Sequence, residues 1–141
     1  TPRPLVIAPE GAKVAGDPDV VVVAFDGSTT ASRAMHMFLL LGLAEDCKVH
    51  VVSIDDDPHK AAQMAERGAA LFRSHGIAAE SNGVVGHGSA SDTILGAVAT
   101  VEAGRLVMGA FGHQGRLRRV LMGSTTKRIL RETNVPVFVH H

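Results

Sequence analysis

Apolar residues along the chain follow two periodicities. Short β-branched runs closed by turn-forming residues alternate with longer segments whose apolar positions recur every three or four residues. "DVVVVAFD" (Asp19 to Asp26) is the first such run. Its unbroken apolar stretch suits a strand covered on both faces. "GSTTASRAMHMFLLLG" follows, with Ala31, Ala34, Met35, Phe38 and Leu41 at helical spacing and Gly42 as a stop. "KVHVVSI" (Lys48 to Ile54) predicts a second strand, after which Asp57 offers a helix cap with Pro58 at the first helical position. Ala61, Met64, Ala65, Gly68 and Phe72 mark that helix's inner face, and Gly76 ends it. "IAAESNGVVG" is a weaker third strand. "SASDTILGAVATVEAG" places Ile94, Leu95, Val98 and Val101 on one helical face, and "RLVMGA" is a short fourth strand. A helix from Ser124 to Arg131 and a last strand in "VPVFVHH" complete the pattern.

Strands alternating with single helices imply right-handed crossovers and a parallel sheet covered on both faces. The expected fold is therefore α/β, a doubly wound five-stranded parallel sheet over residues 19–141. In such sheets ligands bind beyond the carboxyl ends of the strands, where strand order reverses. Two segments stand at carboxyl ends with unusual chemistry, "FDGS" after the first strand and "MGAFG" after the fourth. Residues 1–18 fall outside this unit, as a strand "RPLVIAP" and a linker "EGAKVAGDP". Pro4-Leu5-Val6-Ile7-Ala8 parallels Pro136-Val137-Phe138-Val139-His140. Two readings of this segment stand: the last strand of a preceding copy of the domain, or an added edge strand.

Composition narrows the classes of function. Fourteen basic residues balance fourteen acidic ones, so no global charge points to nucleic acid or an anionic membrane. The absence of Trp and Tyr argues against base-stacking platforms. No apolar stretch approaches the roughly 20 residues that cross a bilayer. The single Cys47 excludes an internal disulfide and fits a reducing cytoplasm, as a buried and inert thiol.

The distinctive chemistry lies between Met108 and Leu130, in "MGAFGHQGRLRRVLMGSTTKRIL". Phosphate needs backbone N–H groups at close range, and glycine lets the chain approach. A helix N-terminus adds free donors and the positive end of a dipole. Gly123, Ser124 and Thr125 would supply that wall, with Gly109 and Gly112 opposite. The plain alternative is a surface connection with Ser124 as an N-cap. No Walker spacing and no G-x-G-x-x-G after the first strand occur. Asp26, at the end of the first strand, either shapes the turn or faces a sugar, a base or a phosphate-bound divalent cation such as Mg2+ or Mn2+. Arg116 lies nearest the glycines among the loop arginines, and His113 within the loop is a further phosphate contact to test. The eight histidines show no metal-ligand spacing, and Ser89 and Ser124 lack a nucleophile elbow.

These residues resemble the universal stress protein family over roughly Val20 to His140. Many of its members bind ATP through G-x2-G-x9-G-[ST]. Here Gly109, Gly112, Gly123 and Ser124 match it with a spacer of ten residues, His113 to Met122. The resemblance implies an adenine-nucleotide alpha-hydrolase-like fold with strand order 3-2-1-4-5, counted from the Asp19 strand. It implies that Ala24 and Asp26 contact the nucleotide and that the Ser53 backbone meets adenine. Met108, Gly109 and Gly112 would line ribose and phosphates, and Gly123, Ser124 and Thr125 would cap the phosphates. It also implies a homodimer through the last strand. "FGHQGRLRRVLMG" resembles tandem-domain members, which supports reading "RPLVIAP" as the tail of a first copy. The expected function is an ATP-binding module acting in stress response through conformation or partner binding. No residue stands as a poised general base for rapid turnover, and a dimerisation module without nucleotide and a slow ATPase are the alternatives.

Overall fold

The computed structural model describes residues 3–9, 16–86, 88–109 and 123–140. Six strands occur among them: β1 (Pro4–Ile7), β2 (Asp17–Ala24), β3 (Lys48–Asp55), β4 (Ala78–Val85), β5 (Ala103–Gly109) and β6 (Val137–His140). The helices are α1 (Thr29–Leu40), α2 (Pro58–Ser74), α3 (Ala90–Thr100) and α4 (Ser124–Glu132). All six strands share one sheet, in the order β1-β6-β5-β2-β3-β4. Counted from β2, the parallel strands run 3-2-1-4-5, as the family resemblance implied. β1 adds an antiparallel sixth strand on the outer edge of β6. The sheet thus takes in part of the segment set apart in the sequence, and β2 begins at Asp17.

Successive residues of a strand face opposite sides of a sheet, and β2 uses both. Val21 and Val23 join Val49, Val51, Phe38 and Phe72 beneath α1 and α2. Val22 instead joins Val52, Leu106, Ile94 and Ile129 beneath α3 and α4. The run of valines at 21–23 is at most 1 % exposed, which two covered faces require. Ala31, Ala34, Met35 and Phe38 form the inner face of α1 as the spacing predicts. Leu41 does not join them and stands 54 % exposed. Helical backbone ends at Leu40, so at Leu41 the periodicity no longer describes direction.

Helix starts follow local chemistry. Ser28 Oγ accepts from the Ala31 N–H at 3.1 Å, and Asp57 Oδ1 accepts from the His59 N–H at 2.9 Å. Pro58 opens α2, where its missing N–H costs nothing. Ser89 Oγ accepts from the Asp92 N–H at 3.2 Å. Cys47 is buried, and Arg105 donates to its sulfur at 2.9 Å. Burial raises the thiol's pKa above its ordinary value despite that guanidinium. Among the described residues no helix is long and apolar enough to cross a membrane.

α2 lies directly on the edge strand β4, and Gly83 sets the distance between them. A Cβ at Gly83 would stand 2.4 Å from the Ala62 nitrogen and 2.6 Å from the Ala61 carbonyl carbon. Those are backbone atoms of a helix whose Ala61 is fully buried, so neither side can yield by rotating a side chain. Gly83→Ala should lower unfolding stability by about 1–3 kcal/mol. Urea denaturation checks it, and an unchanged midpoint would mean that α2 can ride away from the sheet.

Candidate functional site

Strand order reverses between β2 and β5, whose ends pair as Val23 with Val107 and Ala24 with Met108. A cavity of about 440 Å3 opens beyond those ends. Ala24, Phe25 and Asp26 line it from the end of β2, and Met108 and Gly109 from the end of β5. Val52 and Ile54 of β3 and Ile94 of α3 add apolar walls. Gly123, Ser124, Thr125 and Thr126 close the other side at the start of α4. Its size falls within the range of small-molecule sites.

Each helix that follows a parallel strand must begin at this end of the sheet. Ala31 from the first turn of α1 and Ala90 at the start of α3 line the cavity beside the start of α4. Helix N-termini carry partial positive charge, so the rim favours an anion. The walls below it are aliphatic. Such an arrangement accepts a flat apolar group with an anionic tail.

Of the residues singled out in the sequence, Ala24, Asp26, Met108, Gly109, Gly123, Ser124 and Thr125 line this one cavity. Asp26 is exposed, and its Oδ1 accepts from the Ser28 N–H at 2.9 Å, so it shapes the turn and borders the cavity at once. Ser53 is 1 % exposed and donates to the Phe25 carbonyl at 2.7 Å. Its side chain belongs to the opposite face, and its neighbours Val52 and Ile54 line the cavity instead. Gly112, His113 and Arg116 lie outside the described residues. Sequence reasoning passed over Val52, Ile54 and Ile94 as core. Strand alternation around Ser53 would have found the first two.

The two glycines that face each other here have different causes. A Cβ at Gly109 would stand 2.6 Å from the Ala31 nitrogen and 2.7 Å from Thr30 Oγ1. Gly109 therefore lets the end of β5 touch the first turn of α1, a packing reason that needs no ligand. Gly123 is the N-cap of α4, in place of the Ser124 cap considered from sequence. Its φ of −61° and ψ of 160° suit any residue, and nothing described lies within 4 Å of a Cβ there. Among the described residues no side-chain hydrogen bond caps α4. Neither backbone nor packing among the described residues explains this glycine. Among the described residues, no group of three or more His, Cys, Asp or Glu side chains could hold a metal ion.

The model of the Universal stress protein family matches residues 18–141. A relative, Universal stress protein Slr1230 of Synechocystis sp., is 29 % identical over 139 residues, covering 96 % of this chain and 46 % of its own length. The chain thus spans about half the length of that curated relative. A universal stress protein from Archaeoglobus fulgidus DSM 4304 superposes with a TM-score of 0.65 at 27 % identity, covering 86 % of this chain and 43 % of that one. A universal stress protein from Archaeoglobus fulgidus in complex with dAMP gives a TM-score of 0.65 at 19 % identity, over 86 % of this chain and 96 % of that one. A further universal stress protein in complex with cAMP gives 0.68 at 23 %, over 90 % of this chain and 98 % of that one.

The contrast between the glycines is measurable without any ligand. Gly109→Ala should cost about 1–3 kcal/mol of stability, because helix backbone stands in the way. Gly123→Ser adds a side-chain cap and should leave the melting temperature equal or higher. Thermal unfolding of both variants checks this, and a Gly123→Ser protein less stable than the parent would count against it.

Proposed function

The chain belongs to the universal stress protein family, and from that premise we propose that it is an ATP-binding module whose nucleotide sets its conformation or its choice of partner in stress response. Gly123 carries the proposal. It lines the cavity at a helix start, and neither its backbone nor any described neighbour demands a glycine. A phosphate group lying against the α4 N–H groups supplies the missing reason, since a side chain there would hold it off. Val52, Ile54, Ile94 and Met108 offer adenine an apolar slot, and Ser124 and Thr125 add hydroxyls beside the phosphates. Asp26 is the carboxylate on the cavity wall among the described residues, placed for ribose or for a Mg2+ or Mn2+ ion carried in by the phosphates. Gly112 would join the phosphate side by the family motif, and His113 and Arg116 by their place in the glycine loop. The Ser53 backbone stands between the two β3 residues that line the slot. A cytoplasmic setting fits a single, buried cysteine.

Calorimetric titration with ATP and magnesium, with analysis of nucleotide released on denaturation, tests the proposal. One saturable site per chain without turnover supports it. Turnover would make the domain a slow ATPase. No heat and no carried-over nucleotide would make it an interaction module that keeps the fold alone. Gly123→Val should raise the dissociation constant at least tenfold, about 1.4 kcal/mol. Unchanged affinity in a folded Gly123→Val protein would remove Gly123 from the site.

We also propose that residues 1–18 carry the last strand of a preceding copy of this domain. Pro4 on β1 pairs with His140, Leu5 with Val139, Val6 with Phe138 and Ile7 with Val137. Matching Pro4 to Pro136 makes Val6 the counterpart of Phe138, and those two residues pair with each other. Two equivalent last strands meeting across a two-fold axis would pair in this way. β1 thereby occupies the edge where the family resemblance implied a second copy. Leu5 and Val6 remain 45 % and 65 % exposed, apolar positions suited to cover by the rest of such a copy. Removing residues 1–9 leaves the edge of β6 unpaired, and such edges recruit another strand. The shortened chain should self-associate more strongly than the full one, as light scattering after size exclusion would show. A shortened chain that stays monomeric would count against β6 as a pairing edge.

A further inference from the structure

The start of α4 is also held from further along the helix. α4 has nine residues, of which Thr126 and Ile129 are buried. A helix that short is not stable alone and takes its position from tertiary contacts. Ile129, fully buried in the cluster beneath α3 and α4, fixes its depth. Partly buried Leu130 packs against the same cluster, and such non-directional apolar contacts set depth better than rotation about the axis or sliding along it. Arg128 supplies what Ile129 does not. Its Nη1 donates to Ser89 Oγ at 2.9 Å and its Nη2 to Asp92 Oδ1 at 2.7 Å. Its Nε donates to Glu132 Oε2 at 3.0 Å, one turn along its own helix. Ser89 is meanwhile the N-cap of α3, accepting from the Asp92 N–H.

One planar guanidinium therefore joins the cap of α3 to the body of α4. The first residue of α3 and the first residues of α4 both line the cavity. We infer that Arg128 is a positioning residue for the nucleotide site: it sets the rotation and height of the α4 N-terminus against the start of α3, and so the aim of the N–H groups at Ser124 and Thr125. This rests on the nucleotide reading above for its consequence, though not for its geometry.

Magnitudes separate positioning from simple stabilisation. Arg128 and Asp92 are 40 % and 63 % exposed at their side chains. Ion pairs that open to water contribute about 0–1 kcal/mol to stability. Loss of Arg128 should barely move the melting temperature while misaiming the helix that meets the phosphates. Lysine keeps the charge but lacks the fork that reaches three acceptors in one plane, so Arg128→Lys should not restore the site.

Two measurements test this, the first without ligand. Hydrogen exchange at the amides of residues 124–127 should quicken in Arg128→Ala, with the amides of β2 and β5 unchanged. Unchanged exchange at the start of α4 overturns the inference whether or not the protein binds nucleotide. The second is ATP titration of Arg128→Ala, Arg128→Lys, Asp92→Ala and the double variant Asp92→Ala with Arg128→Ala. Each single change should weaken binding about three- to tenfold, and the double should weaken it by less than the product. Affinity equal to the parent's, rescue by lysine, or fully multiplicative losses would overturn it. Failure of the parent protein to bind ATP would instead overturn the nucleotide reading, leaving exchange to decide the role of Arg128.

Discussion

Strand direction is the constraint from which the rest follows. β2, β3, β4, β5 and β6 all run the same way, so every connecting helix begins at the carboxyl end of the sheet. Parallel ladders need both faces covered, which places α1 and α2 on one side and α3 and α4 on the other. The chain runs outward from β2 to β4, then returns to β5 on the opposite flank. The crevice between α1 and α3 is left where those two excursions part. Its polarity is a by-product of the same geometry: helix starts at the rim, strand residues at the floor. The site is a consequence of topology before any particular residue is chosen.

Much of this was legible in the chain because hydrophobic periodicity reports covered faces. The valines at 21–23, the Asp57–Pro58 start and the glycine stops placed the elements to within a few residues. What spacing does not report is distance between elements. The motif places Gly109 beside ribose and phosphates but does not report that its missing Cβ also lets Ala31 approach. Gly83 carries no such signal in the sequence, although it sets how closely α2 lies on β4. Leu41 extended a helical pattern in sequence but falls at the C-cap, where the pattern has no meaning. The apolar lining of the cavity escaped for a related reason. Val52, Ile54 and Ile94 carry the same periodic signal as buried core, and only the gap beyond the strand ends separates the two roles.

The outer edge of β6 raises a separate problem. A parallel sheet ends in an unpaired ladder on each flank, and exposed edges invite association. On one flank the edge strand β4 carries Glu80, bridged to Lys48 at 3.2 Å and placed 3.5 Å from His50. Burial holds His50 below its ordinary pKa even with that carboxylate beside it, so the neutral ring is favoured near pH 7. Charge on the edge discourages further strands there. On the other flank the chain answers with a strand of its own, β1, whose side chains are apolar and partly uncovered. One edge carries charge, while the other is moved outward to β1 and leaves a surface suited to more protein.

The energetics of α4 connect the ligand question to the fold. α1, α2 and α3 each begin with a side-chain cap, and a Ser, Thr or Asp cap is worth about 0.5–2 kcal/mol over alanine. α4 begins with glycine and is also the shortest of the four. The backbone at 123 accepts Ser or Asp, and no described residue stands in the way of a Cβ there. Foregoing that cap removes one side-chain acceptor for the first N–H groups of the helix. An anion bound there would return the stabilisation, but only while it is bound. A short helix, held by Ile129, Leu130 and one guanidinium, is therefore the place where a bound anion would add most to the order of this fold.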